Sequence, residues 1–315
     1  MSVLSPTQRP YAPRVLGTDI STATNLSDAL NDANLAWTLN ETPAENISLL
    51  TDDGVTTTSI PGHRLLMRSD NHTTLGVVGS RYTAVNNADA LALADSAKML
   101  GAKFAYAGEQ DHGRKVFLTM SLPEAQIAVG GHDLINFDLV LRTSHDGSGS
   151  IVGEAMGTRL VCTNGMRANI DGTQQRWSIR HTRNADNALY QARDALKHTI
   201  AYAKAFSAHA EQMISSKFSE RDFSALLDTL YIAPDEDDSP RRINTWNRRR
   251  DDLMDLFRKN DTQEEGRNTR WAAWNAIVEY NDWYRPANNG DTGRANRNFN
   301  GDSTGTSARA FSLLS

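Results

Sequence analysis

Residues 139–170 read LVLRTSHDGSGSIVGEAMGTRLVCTNGMRANI. Leu139-Val140-Leu141 closes an apolar strand. Ser144-His145-Asp146-Gly147-Ser148-Gly149-Ser150 is short and rich in Gly, Asp and Ser, the chemistry of a hairpin connection. A second strand then runs into Arg159-Leu160-Val161-Cys162-Thr163-Asn164-Gly165. There an apolar pair, the only cysteine and an Asn-Gly breaker stand together. Upstream of the hairpin, strand and helix patterns are mixed; downstream the period becomes helical.

Upstream, residues 26–35 predict a short helix with Ser27 or Asp28 as its N-cap. Trp37-Thr38-Leu39 alternates like the start of a strand. Residues 64–68 and 74–78 flank Ser69-Asp70-Asn71-His72, a second hairpin. Asn86 or Asn87 opens a helix over ADALALADSAKML, and Gly101 stops it. Residues 103–107 and 114–120 form a third hairpin, and residues 126–129 and 134–141 a fourth. The pattern predicts an α+β fold: a mostly antiparallel, curved sheet with one inserted helix.

Downstream, apolar residues recur at helical spacing from 184 to 213. This long amphipathic helix carries an alanine stripe, Ala185, Ala188, Ala192 and Ala195. Ser219 caps a shorter helix over 222–231. An acidic connection, Pro234-Asp235-Glu236-Asp237-Asp238-Ser239-Pro240, leads to helices over 241–259 and 268–283. The expected organisation is a flexible arm at 1–25, a core at 26–183, helices packed on it at 184–233, a helical region at 241–284 and a flexible tail at 285–315.

Composition bounds the function. The 315 residues are 39% hydrophobic with a net charge of −5, and the mean hydropathy is −0.52. Bulk charge therefore gives no basic signal, and local clusters must carry any such reading. One cysteine excludes an intramolecular disulfide framework and zinc sites built from several thiolates. The N-terminus has no apolar h-region, and no window reaches the about 20 apolar residues of a membrane span. A cytoplasmic protein with no membrane partner is expected.

Four pieces in order carry a resemblance. They are the first helix with Trp37, then Leu75-Gly76-Val77-Val78-Gly79-Ser80-Arg81-Tyr82 with Asn86-Asn87, then Gly113-Arg114-Lys115-Val116-Phe117 with Leu122-Pro123-Glu124, and last the Ser144–Ser148 turn leading to Arg159-Leu160-Val161-Cys162-Thr163-Asn164. Over about residues 25–230 this resembles a phage- and plasmid-borne protein family, a domain of unknown function. That family usually has Gln after the cysteine, where Thr163 stands here. The resemblance implies a mobile-element protein in a bacterial host cytoplasm. A more distant similarity, of element pattern only, is to phage single-strand annealing proteins, often assembled into rings.

Arginines give the best binding signal. Arg159, Arg167, Arg176, Arg180 and Arg183 follow the central hairpin, with Trp177 among them and Asp171 as the single acid from Leu160 to Arg183. Arginine beside an aromatic suits phosphate contacts and base stacking; a solvated charged face is the plainer alternative. Arg248, Arg249 and Arg250 end a second basic run that starts at Arg241. His145 and Asp146, with His112 and His132 in other turns, suit a metal-binding or acid–base unit, or ordinary turn residues. Cys162 suits a nucleophile with His145 as base, or a small buried hydrophobe. Neither Gly147-Ser148-Gly149 nor Gly76-Val77-Val78-Gly79 matches a phosphate loop or a dinucleotide fingerprint.

The leading expectation is a nucleic-acid-associated protein, more a binder than an enzyme, acting on single-stranded DNA in annealing, recombination or replication. No cofactor and no metal is expected. The alternatives are a metal- or cysteine-dependent hydrolase at the 144–150 turn, and a host-interaction or structural protein working through the C-terminal helices. Expected partners are nucleic acid, a second copy of the chain and a host protein.

Overall fold

The central hairpin forms. β10 (Asp133–Ser144) and β11 (Val152–Arg159) pair antiparallel, from Ile135 opposite Arg159 to Arg142 opposite Val152. The computed structural model describes residues 5–45, 47–179, 185–301 and 304–315. The hairpin lies inside an eight-stranded sheet in the order β1 (Thr18–Asp19), β7 (Lys103–Gln110), β8 (Lys115–Ser121), β10, β11, β12 (Asn164–Met166). Two further strands attach to it, β9 (Ile127–Val129) on β10 and β13 (Arg176–Ser178) on β11. These pairings are antiparallel throughout. A smaller sheet joins β2 (Leu39–Pro43), β5 (His63–Arg68) and β6 (Thr74–Gly79), and β3 (Ile47–Thr51) pairs with β4 (Gly54–Thr58). The fold is α+β with an open, curved sheet, an inserted helical region and C-terminal helices.

Two details differ from the sequence pattern. The first helix, α2 (Leu26–Asp32), is capped by Asn25, whose side chain accepts from the Asp28 amide. The Asp28 carboxylate in turn accepts from Thr24 and Asn25, so the expected cap residue works three positions into the helix. The helix expected from Asn87 breaks into α3 (Asn87–Ala90) and α4 (Leu93–Met99). Leu91 and Leu93 are both buried; residues two apart leave a continuous helix on different faces, and the break lets both reach the core.

Strand alternation gives the sheet two faces. Leu139 and Leu141, with Leu118, Met120 and Ala155 beside them, join the main core. That face is covered by α5 (Ala185–Ser215), whose buried Ala192, Ala195, Ala203 and Ala210 allow close approach while Tyr202 and Phe206 fill the space between. Phe206 meets Phe137 at 5.4 Å, Trp271 at 6.1 Å and Trp274 at 5.7 Å between ring centroids. The tryptophans lie on α8 (Arg270–Glu279), which is buried all round. Beyond it α6 (Glu220–Leu230) starts at a Ser219–Asp222 capping box, and α7 (Pro240–Lys259) packs by Leu253, Leu256 and Phe257. No helix among the described residues is long and apolar enough to cross a membrane.

The opposite face holds a smaller cluster of Phe117, Val140, Met156 and Phe299. Both ends of the chain cover it. α1 (Ala12–Leu16) brings Tyr11, Ala12 and Leu16, and α9 (Gly290–Asn300) brings Phe299. α10 (Thr304–Leu314) then buries Phe311 and Leu314 in the main core. The expected loose arm at 1–25 and loose tail at 285–315 are thus corrected in their described parts. A few apolar side chains on otherwise polar segments complete the core, and Arg9 pairs with Glu279 at 2.6 Å with both side chains fully enclosed. The arm runs so close to β7 that a side chain at Gly17 would meet the Ala107 carbonyl at 2.4 Å.

Candidate nucleic-acid interface

Arg159 ends β11 beneath the surface at 2% exposure. Its guanidinium holds Asp133 at 2.7 to 2.9 Å and donates to the Thr262 carbonyl at 2.7 Å. Trp271 Nε1 donates to the same Asp133 carboxylate at 2.8 Å. Arg167 is also buried; it pairs with Glu154 at 2.9 Å and donates to the Asn298 and Phe299 carbonyls at the end of α9. Cations at a helix C-terminus complement its dipole and its unpaired carbonyls. Both arginines are internal struts, which corrects the expectation that they face phosphate: a ligand would reach them only by breaking buried ion pairs.

Arg176 is different. It opens β13 opposite Glu154 and is exposed. Trp177, next to it, is half-buried with its ring on the backbone of β11. A side chain at Gly153 would come within 2.6 Å of that ring. His198 of α5 lies over the ring at 5.2 Å. The indole is packed against its own fold, so its expected role as a stacking face for bases is corrected as well. Arg180 and Arg183 lie outside the described residues.

The residues around the central turn go to separate surroundings. His145 is buried, with Nε2 2.7 Å from Asn87 Oδ1 and its ring edge-on to Trp37. Burial pulls its pKa down to about 4, against the opposing charge of Asp146. Asp146 is held below the usual carboxylate range by the Ser148 hydrogen bonds and Lys115, despite partial burial. His132 pairs with Glu265 at 3.1 Å on the surface. His112 occupies a left-handed turn after β7, where its carbonyl faces Arg68. Cys162 is fully buried; burial pushes its thiol up to about 12, although Arg159 lies beside it. At such a value the thiolate is not the resting form. Among the described residues no group of three or more His, Cys, Asp or Glu is placed to hold a metal ion.

Arg248, Arg249 and Arg250 lie on α7. The buried residues of this helix, Leu253, Leu256 and Phe257, all belong to its second half. The first half, PRRINTWNRRR from Pro240 to Arg250, stands clear of the core with five arginines and no acid. Arg241 and Arg248 are exposed. Arg242 pairs with Asp238 at 2.7 Å. Arg249 lies over the Tyr231 ring at 5.0 Å, and Arg250 over Trp246 at 5.1 Å while bonded to Asp228 and Ser224. These partners tie Arg249 and Arg250 to α6 and its C-terminal end and leave Arg241 and Arg248 exposed.

Two basic residues escaped the sequence reading. Lys115 and Arg142 lie on β8 and β10 and line a groove with Arg176. The available signal was polar residues at alternate positions of an apolar strand, Asp138 and Arg142 either side of Val140. Asp138 sits under α1, where Tyr11 donates to it at 2.5 Å. Burial lifts its carboxyl pKa to about 6, and the tyrosine bond lowers it only in part.

A family model described as domain of unknown function (DUF932) matches residues 74–301. No curated protein and no solved structure matches the chain. The matched span runs from β6 to the end of α9 and takes in the central hairpin, Lys115, Arg142, Arg176 and all of α7. With most of its length inside that match, the chain belongs to the DUF932 family of domains of unknown function.

Proposed function

We propose that the protein binds nucleic acid by its phosphate backbone, using the first half of α7 as the principal contact. The observation that supports this is a helix segment with five arginines and no acid, whose buried anchors all lie beyond it. Arginine forks suit phosphate oxygens, and backbone contacts supply the sequence-independent part of nucleic-acid affinity. The acidic bulk of the chain limits non-specific binding at high salt and leaves the contact to this local cluster. The resemblance to phage- and plasmid-borne proteins gives the proposed setting, a mobile element in a bacterial cytoplasm. Single-strand binding in annealing, recombination or replication is the proposed use, with self-assembly along the strand.

The test is binding of labelled single-stranded and duplex DNA of equal length across a salt series. Affinity is expected to fall with salt, with a log–log slope of about −0.7 per phosphate contact on the single strand. Replacing Arg241 and Arg248 with Gln should reduce the magnitude of that slope by about 0.7 for each lost contact. An absence of binding at low salt, or a slope unchanged in the double variant, would sink the reading. Tighter binding to duplex would overturn its single-strand part.

A further inference from the structure

α1 and α9 cover only part of their face of the sheet. Beyond Phe299 the remaining strand surface opens as a groove of ≈ 350 Å³. Its rim includes the Ser148-Gly149-Ser150 end of the central turn, and Asn300 closes it at the end of α9. Lys115, Arg142 and Arg176 supply three cations from three strands, and no carboxylate is among its described lining residues. Val152, opposite Arg142 on the same face, adds an apolar edge.

The carboxylates near this groove lie outside its lining. Two carboxylates stand next to it and both are engaged: Glu154 pairs with Arg142 and Arg167, and Asp146 accepts from Ser148 and lies near Lys115. Burial disfavours the charge on Glu154, yet its two arginines, with help from Arg176, hold it below the usual range. Arg142 feels the nearby cations. Burial lowers its guanidinium to about 10, opposed by Glu154 and reinforced by Arg167 and Arg176. Arg142 also donates to the Phe299 carbonyl at 2.6 Å and to Asn300 at 3.3 Å, so its plane is fixed by the fold. Asp111 stands 3.9 Å from Lys115, outside the groove lining. Arg176 and Lys115 therefore overhang a fixed, partly desolvated cation. That is a prearranged site for an anion with several acceptor oxygens.

We propose that this groove binds the phosphoryl group of a small phosphate ester, with a mononucleotide as the class of ligand that fits. The volume is at the lower end of small-molecule sites, which run from about 300 to 1,000 Å³. It exceeds what a bare phosphate needs. The phosphoryl oxygens meet Lys115, Arg142 and Arg176 and the Ser150 hydroxyl. The sugar and base lie along Val152 and the Gly149-Ser150 rim. Nothing in this site depends on α7, and the two readings fail separately.

The experiment is calorimetric titration of the full chain, at constant ionic strength, with inorganic phosphate, adenosine 5′-monophosphate and adenosine. Adenosine monophosphate is expected to bind more tightly than phosphate, with adenosine weakest. Equal binding of the two phosphates would keep the phosphoryl site and overturn the nucleotide assignment. Arg176→Gln and Lys115→Gln remove exposed side chains, and urea midpoints will check that both variants stay folded. Each should weaken the phosphorylated ligands by about tenfold and leave adenosine unchanged. Arg241→Gln with Arg248→Gln should leave the titration as it is. The site is overturned if neither phosphate binds, if adenosine binds as well as its monophosphate, or if the two groove variants bind like the wild type.

Discussion

Two buried titratable residues set opposing pH responses. Asp138 has its carboxyl raised to about 6 in the folded state by burial. Its unfolded pKa is near 3.9, so the folded chain binds the extra proton between those values. Stability from this group is present at acid pH and lost as pH rises through about 6. His145 is lowered to about 4 by burial, against an ordinary 6.5. There the unfolded chain binds the extra proton, and stability is lost as pH falls from about 6.5 towards 4. Each shift is worth roughly 3 kcal/mol at 1.36 kcal/mol per unit, with opposite sign in nearly the same window. The wild type should therefore show a nearly flat contribution from the pair between pH 4.5 and 6.5. Asp138→Asn keeps an acceptor for Tyr11 and removes one side of the balance. Urea unfolding of this variant should show stability falling towards acid by about 2–3 kcal/mol over that range. A variant as flat as the wild type would show that the two shifts do not offset one another.

At the scale of elements, the C-terminal helices carry more than their composition announces. Phe311 of α10 stacks on Phe206 of α5 at 5.7 Å and meets Trp274 of α8 edge-on at 5.1 Å. Phe311→Ala should cost about 3–5 kcal/mol, read as a lower urea midpoint with an unchanged slope. A loose tail would give a change within about 0.5 kcal/mol. The difference between expectation and structure here is physical. Turn chemistry is local, so the hairpin at 144–150 and the Ser219 cap could be read from neighbouring residues. The tail is Asn, Gly, Arg, Ser and Thr, with an isolated aromatic on each helix, and only the tertiary partner reveals that the aromatic is buried. The same holds for the arginines. Arg159 looked like a surface cation because Asp133 lies 26 residues before it and Thr262 lies 103 after it. The basic run on α7 was legible as a run. Its separation from the core was not, since that depends on where Leu253, Leu256 and Phe257 dock.

At the scale of the molecule, segments that look separate in sequence share one interior. A single hydrophobic cluster runs from Ile20 to Leu314 and includes residues of the sheet, α5, α6, α7, α8 and α10. Buried ion pairs tie distant segments across it. Arg9 meets Glu279, and Arg159 joins Asp133 to the loop before α8. The Glu154 group holds α9 through Arg142 and Arg167. Breaking one such buried pair by removing a partner costs about 3–5 kcal/mol, so neither half keeps its stability when the other opens. Unfolding should then be one cooperative transition, although a chain of 315 residues is long enough for two domains. Scanning calorimetry should give a single peak with calorimetric and van't Hoff enthalpies in agreement, at about 220 kcal/mol near 60 °C on the usual ~0.7 kcal/mol per residue. Independent units over 26–183 and 184–315 would instead give two peaks, or a van't Hoff value near half the calorimetric one. Glu279→Gln sharpens the test. In a molecule with one interior, loosening the Arg9 pair lowers the whole transition. In a two-unit molecule it would shift only the peak that contains α8.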